Sequence, residues 1–115
     1  MLNNLAWLYN EAGNPRAVEY AERAKELAPD RPEIADTLGW VLIHNDQAQR
    51  GLRLLQQAAG QAPHLPEIHY HLAVAYDKVG RKEEARKELK RLLSRDKHFA
   101  AVQQAEELLR SLQVK

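Results

Sequence analysis

The chain has 115 residues and a formal charge of +1. It is long enough for one hydrophobic core or one segment of an array, and too evenly balanced to select a nucleic acid or an anionic membrane as its main partner. Cysteine is absent, which excludes disulfide frameworks, thiolate metal sites and cysteine nucleophiles while leaving the compartment open.

No apolar run approaches the ~20 residues needed to span a bilayer, so no membrane insertion of this segment is expected. The N-terminus lacks the basic and apolar regions of a signal peptide. Met1 leads directly into amphipathic sequence, as expected of a fragment of a longer repeat protein whose upstream segment is missing.

Leu5, Leu8, Tyr9 and Ala12 follow a 3.6-residue period and predict a first helix. Gly13-Asn14-Pro15 then supplies a stop, a turn residue and a proline suited to a first helical turn. Val18, Ala21, Ala24, Leu27 and Ala28 carry the next stripe, ended by "APDRP", whose prolines cannot continue a helix. Further helices are expected at about Glu33–Asn45 and Gln47–Ala62, with Asn45-Asp46 at the turn, and at about Pro66–Val79 and Lys82–Ser94, with Gly80 at the turn. A seventh, about Phe99–Gln113, sets Phe99, Val102, Ala105, Leu109 and Leu112 against Gln103, Glu106, Glu107 and Arg110.

These elements repeat. Leu5, Leu38 and Leu72 are followed by Ala6, Gly39 and Ala73, and four residues after each leucine stand Tyr9, Leu42 and Tyr76. Ala17, Gly51 and Ala85 recur at an interval of thirty-four residues, as do Ala21, Leu55 and Leu89. The small residues mark close approach of helix axes, and the leucines and tyrosines fill the remaining space, each contributing roughly 1.5–3 kcal/mol if fully buried.

The pattern Leu38-Gly39-x2-Leu42, Gly51, Leu55, Ala58, Pro63 and its counterpart Leu72-Ala73-x2-Tyr76, Gly80, Ala85, Leu89, Leu92 resemble the tetratricopeptide repeat, whose 34-residue helical hairpin reads W-x2-L-G-x2-Y. The opening tryptophan is replaced by Ala35 and His69, and the closing proline of the third unit by Lys97. The resemblance implies an all-α, α-α superhelix, a solenoid of three helix-turn-helix repeats (about 1–31, 32–65 and 66–98) with a C-terminal capping helix (about 99–113). More narrowly, "NNLAWLYNEAGNPRAVEYAERAKELAPDRPEIADTLGWVL" and "PEIHYHLAVAYDKVGRKEEARKELKRLL" resemble the C-terminal part of the repeat lipoproteins of the PEP-CTERM/exosortase system. That resemblance implies an envelope-facing scaffold in exopolysaccharide export.

In a tetratricopeptide superhelix the first helix of each pair lines the concave face. The resemblance therefore places Asn3, Asp36 and Tyr70, then Trp7, Trp40 and Val74, then Asn10, Ile43 and Asp77 in rows along one groove, with His71 beside them. Aromatic plates beside amides and carboxylates suit an extended peptide or a partner helix, and the competing reading buries both indoles as core. Asp36, Thr37, Tyr70 and His71 stand where the family's carboxylate-gripping sites would need basic or amide groups, which disfavours a receptor for acidic peptide tails.

His64, His69 and His71 raise a metal site, but residues two apart on a helix diverge by about 200°, so solvated or groove-lining imidazoles and no metal are expected. No hydroxyl nucleophile or phosphate-cradling loop supports catalysis, and no cofactor is implied. The expected function is non-catalytic binding of a protein or peptide. The alternatives are self-association through the apolar edge of Leu2, Leu5 and Tyr9, and anionic-polymer binding by the basic segment Arg81–Lys97, otherwise a solvated helix laced by pairs such as Glu83 with Lys87.

Overall fold

Prolines and left-handed turns set where the helices begin and end. In the computed structural model, which describes residues 2–113, α1 (Leu2–Glu11) and α2 (Arg16–Leu27) form the first hairpin, α3 (Pro32–Ile43) and α4 (Ala48–Gln61) the second, and α5 (Pro66–Lys78) and α6 (Lys82–Arg95) the third. A last helix, α7 (Val102–Gln113), covers the end of the stack. Met1, included in the first unit above, lies outside the described residues.

Pro32 and Pro66 open α3 and α5, where the missing N–H is one that a first turn leaves unpaired anyway. The three hairpin turns share one hydrogen bond: Asn14 N–H to Tyr9 O (2.8 Å), Gln47 N–H to Leu42 O (3.0 Å) and Arg81 N–H to Tyr76 O (2.8 Å). The residue before each donor has positive φ, namely Gly13 (71°), Asp46 (64°) and Gly80 (87°). Glycine reaches this region without Cβ strain, and Asp46 takes it in the second repeat.

Side chains of small size bring the paired helices together. A Cβ on Gly39 would meet Leu55 Cγ at 2.7 Å, and one on Gly51 would meet Gly39 O and Ile43 Cγ2 at 2.6 Å. Ala6 with Ala17, and Ala73 with Ala85, are fully buried at the corresponding positions. Leu38, Leu42, Leu55, Leu72 and Leu89 are buried around them, and Tyr76 is half-buried.

The first helices also touch one another, α1 against α3 and α3 against α5, and no comparable packing joins α2 to α4 or α4 to α6 among the described residues. The inner layer is therefore close-packed and the outer layer splayed, so the stack curves with α1, α3 and α5 on its concave side. The fold is an all-α helical repeat solenoid.

Two expectations need correction. The seventh helix starts at Val102, not Phe99. Asp96–Ala101 has no proline to preset a first turn, and Phe99 instead packs from the loop onto Leu89 and its neighbours. Leu5, Leu8 and Leu27, assigned to apolar stripes, are 39%, 63% and 77% exposed. α3 has neighbours on both sides, whereas α1 packs only against α2 and α3 among the described residues.

Candidate functional site

On helices α1, α3 and α5, residues four and seven apart share a face, and this brings Trp7, Trp40 and Tyr70 into one aromatic strip. The indole centroids of Trp7 and Trp40 are 6.2 Å apart and tilted by 40°, and Trp40 and Tyr70 are 6.1 Å apart at 44°. Both indoles and the phenol are half-buried, leaving surface that faces solvent.

His71 lies beneath the strip. Its ring centroid is 4.1 Å from Trp40 and 5.8 Å from Trp7, and it is 6% exposed. Nδ1 of His71 donates to Asp36 Oδ1 at 2.7 Å, so one buried hydrogen bond ties α5 to α3 and fixes the imidazole against the indoles. A buried carboxylate left unpaired costs several kcal/mol. Asp36 and His71 therefore depend on each other and position the strip, and neither reaches out to a ligand.

His44, which sequence reasoning did not single out, completes the strip. It stands edge-on to Trp40 at 4.5 Å, and its Nδ1 donates to the Trp40 carbonyl at 2.8 Å. The four-residue spacing from Trp40 on one helix face was the available signal.

The other predicted positions divide. Ile43 does not line the groove: it is 4% exposed, because its Cγ2 occupies the space that a Gly51 side chain would take. Val74 is half-buried against the core around Leu72. Asp77 is ion-paired with Lys82 across the third turn. Asn10 Oδ1 accepts from Asn45 Nδ2 at 3.4 Å, linking the first two repeats.

Asn3 points elsewhere. Its Oδ1 is buried without a hydrogen-bond partner, beside an apolar hollow of about 200 Å³ that it lines with Leu2, Ala24, Leu27, Ala28 and Ile34. Asn3 thus belongs to the N-terminal edge and not to the aromatic strip.

The electrostatics near the strip are set by carboxylates. Burial, and then the charge of Glu107 on α7, push the Tyr70 phenol above its usual 10.0. Behind the strip, between α5 and α6, His69 Nδ1 donates to Glu88 Oε2 at 2.5 Å and Nε2 faces the Pro63 carbonyl at 2.9 Å. Burial pushes the Glu88 carboxyl up, but hydrogen bonds from His69 and Arg91 outweigh it and hold the group below its usual 4.5. His69 and His71 are therefore neither solvated nor groove-lining imidazoles but hydrogen-bonded links between elements, a correction that follows from the acceptors each one meets.

On α6 the ion pairs run at i,i+3, as Arg81–Glu84, Glu83–Arg86 and Glu88–Arg91, in place of the expected Glu83–Lys87 pair. Among the described residues no group of three His, Cys, Asp or Glu side chains is arranged to hold a metal ion, and no helix is long and apolar enough to cross a membrane.

A family model described as tetratricopeptide repeat matches residues 42–109. Among solved structures, MamA AMB-1 is 29% identical with a TM-score of 0.70, over 81% of this chain and 56% of its own. MamA MSR-1 is also 29% identical, with a TM-score of 0.68 over 81% of this chain and 54% of its own. This chain thus spans little more than half the length of either MamA chain. The second TPR domain of human RPAP3, solved in complex with the HSP70 peptide SGPTIEEVD, has a TM-score of 0.81 and 14% identity, over 99% of this chain and 93% of its own. At that identity the likeness is one of fold. A search of curated proteins returns no match.

Proposed function

The chain belongs to the tetratricopeptide-repeat family, and we propose that it is a non-catalytic interaction scaffold that docks a peptide or partner helix along the concave face of α1, α3 and α5. The observation that carries this reading is the half-buried strip of Trp7, Trp40 and Tyr70, fixed from beneath by the buried Asp36–His71 pair. Large rigid aromatics with one wet face are the residue type that dominates binding energy at protein interfaces. The peptide complex of the RPAP3 domain supports a peptide ligand for this architecture without naming one for this chain.

Affinity capture from the source cell with wild type, followed by titration of the captured protein, tests the reading. Replacing Trp40 by Ala is expected to weaken binding by more than ~1 kcal/mol, with the helical circular dichroism retained. Unchanged affinity removes the indole from the site.

A second reading, self-association, draws on the exposed Leu5, Leu8 and Leu27 and the hollow beside Asn3. Sedimentation equilibrium separates the two, since a monomer at high concentration argues against that edge as an oligomerising surface. Anionic-polymer binding by residues 81–97 is less favoured, because Arg81, Arg86, Arg91 and Arg95 are each ion-paired with a carboxylate. The envelope setting rests on the narrower sequence resemblance, and fractionation of the source cell tests it.

A further inference from the structure

We propose that the aromatic groove selects a positively charged segment, one that lays an arginine or lysine side chain against the solvent-exposed surface of the Trp7 and Trp40 indoles. The inference rests on the groove reading above and adds the chemistry of the occupant.

Charge is sorted by layer in this fold. The concave helices α1, α3 and α5 carry the carboxylates Glu11, Glu33, Asp36, Glu67 and Asp77 against the single cation Lys78, and of these Glu33, Asp36 and Asp77 are taken up by Arg31, His71 and Lys82. Of the outer helices, α2 is balanced, with three basic and three acidic residues, whereas α4 has Arg50 and Arg53 with no carboxylate and α6 has six basic residues against three acidic ones. The near-neutral total of the chain hides this division.

The acidic side coincides with the aromatic strip. Glu11 stands one helical turn beyond Trp7 on α1, and Glu107 is near enough to Tyr70 for its charge to act on the phenol. Both carboxylates are exposed and make no ion pair among the described residues.

An indole face is the best aromatic surface for a guanidinium or ammonium, and flanking carboxylates add to the attraction. Elsewhere the chain already uses this contact: Arg16 lies over Tyr9 and Tyr20 at 5.7 and 5.5 Å, and Arg81 over Tyr76 at 5.0 Å. No arginine or lysine of the described residues lies over either indole. An acidic segment entering the same groove meets like charge, which costs free energy at short range.

Trp7 and Trp40 are the chain's two tryptophans, so intrinsic fluorescence reads the site directly. The probes are a synthetic peptide with three arginines spaced by glycine and alanine, its glutamate counterpart, and the acidic peptide SGPTIEEVD. The arginine peptide is expected to shift indole emission saturably, to lose affinity as salt is raised, and to bind several-fold more weakly to a Glu11→Gln, Glu107→Gln variant, whose exposed positions leave the fold intact.

Emission shifted equally by the acidic peptides overturns the charge assignment while leaving the groove reading in place. Arginine-peptide binding that leaves the indole emission unmoved, or no response to any probe, also overturns it. Retention of the captured partner by Trp40→Ala is the separate result that removes the groove itself.

Discussion

Gly51 and Gly60 both sit in α4 yet answer to different constraints. A methyl group on Gly51 would lie 2.6 Å from the Gly39 carbonyl oxygen and from Ile43 Cγ2, whereas one on Gly60 meets nothing within 4 Å. Gly51→Ala is therefore expected to destabilise the chain by ~1–3 kcal/mol through overpacking. Gly60→Ala is expected to stabilise it by ~0.5–1 kcal/mol, because a helical glycine has excess freedom to lose. Urea denaturation of the two variants checks the signs.

The repeat interval made Gly39 and Gly51 legible as packing positions from sequence. It did not separate Tyr70 from His71 as the neighbour of Asp36. Both stand on α5, and the way α5 packs against α3, a tertiary quantity, gives the hydrogen bond to His71. Ile43 was misread for a related reason: the face of α3 toward the groove is narrower than a seven-residue row, and its last member turns into the contact with α4.

At the scale of elements, the turns and the joints between helices dominate. Gly80 has φ of 87°, so Gly80→Ala is expected to cost ~1–2 kcal/mol in left-handed strain, seen as a lower urea midpoint. Asn45-Asp46 was readable as a turn because it falls in register with Gly13 and Gly80. The start of α7 was not readable: without a proline or a capping side chain the apolar pattern continued through Phe99, which packs equally well from a loop.

The joint at Glu88 has a pH signature. Its carboxyl is held below the usual 4.5 in the folded chain, so the stabilisation it supplies is complete above that value and is lost as pH falls through the folded value. Glu22, lowered first by its hydrogen bond from Arg50, adds a loss in the same direction and window, although its pair is largely solvent-screened. Stability is therefore expected to decline below about pH 4.5, and less steeply in Glu88→Gln, as measured by urea midpoints across that range.

For the whole molecule, stacking order governs what the surface offers. Close packing of α1, α3 and α5 gathers aromatic and acidic side chains on one side, and α4 and α6 among the splayed second helices carry a basic excess on the other. The same order leaves Leu5, Leu8 and Leu27 uncovered at the N-terminal edge.

The most direct test is acrylamide quenching of tryptophan fluorescence in the free chain and in its complex with the captured partner. Quenching of Trp7 and Trp40 is expected to fall on complex formation, because the partner covers the indole surface that faces solvent in the free chain. Equal quenching in both states contradicts the account and moves the binding surface away from the concave side.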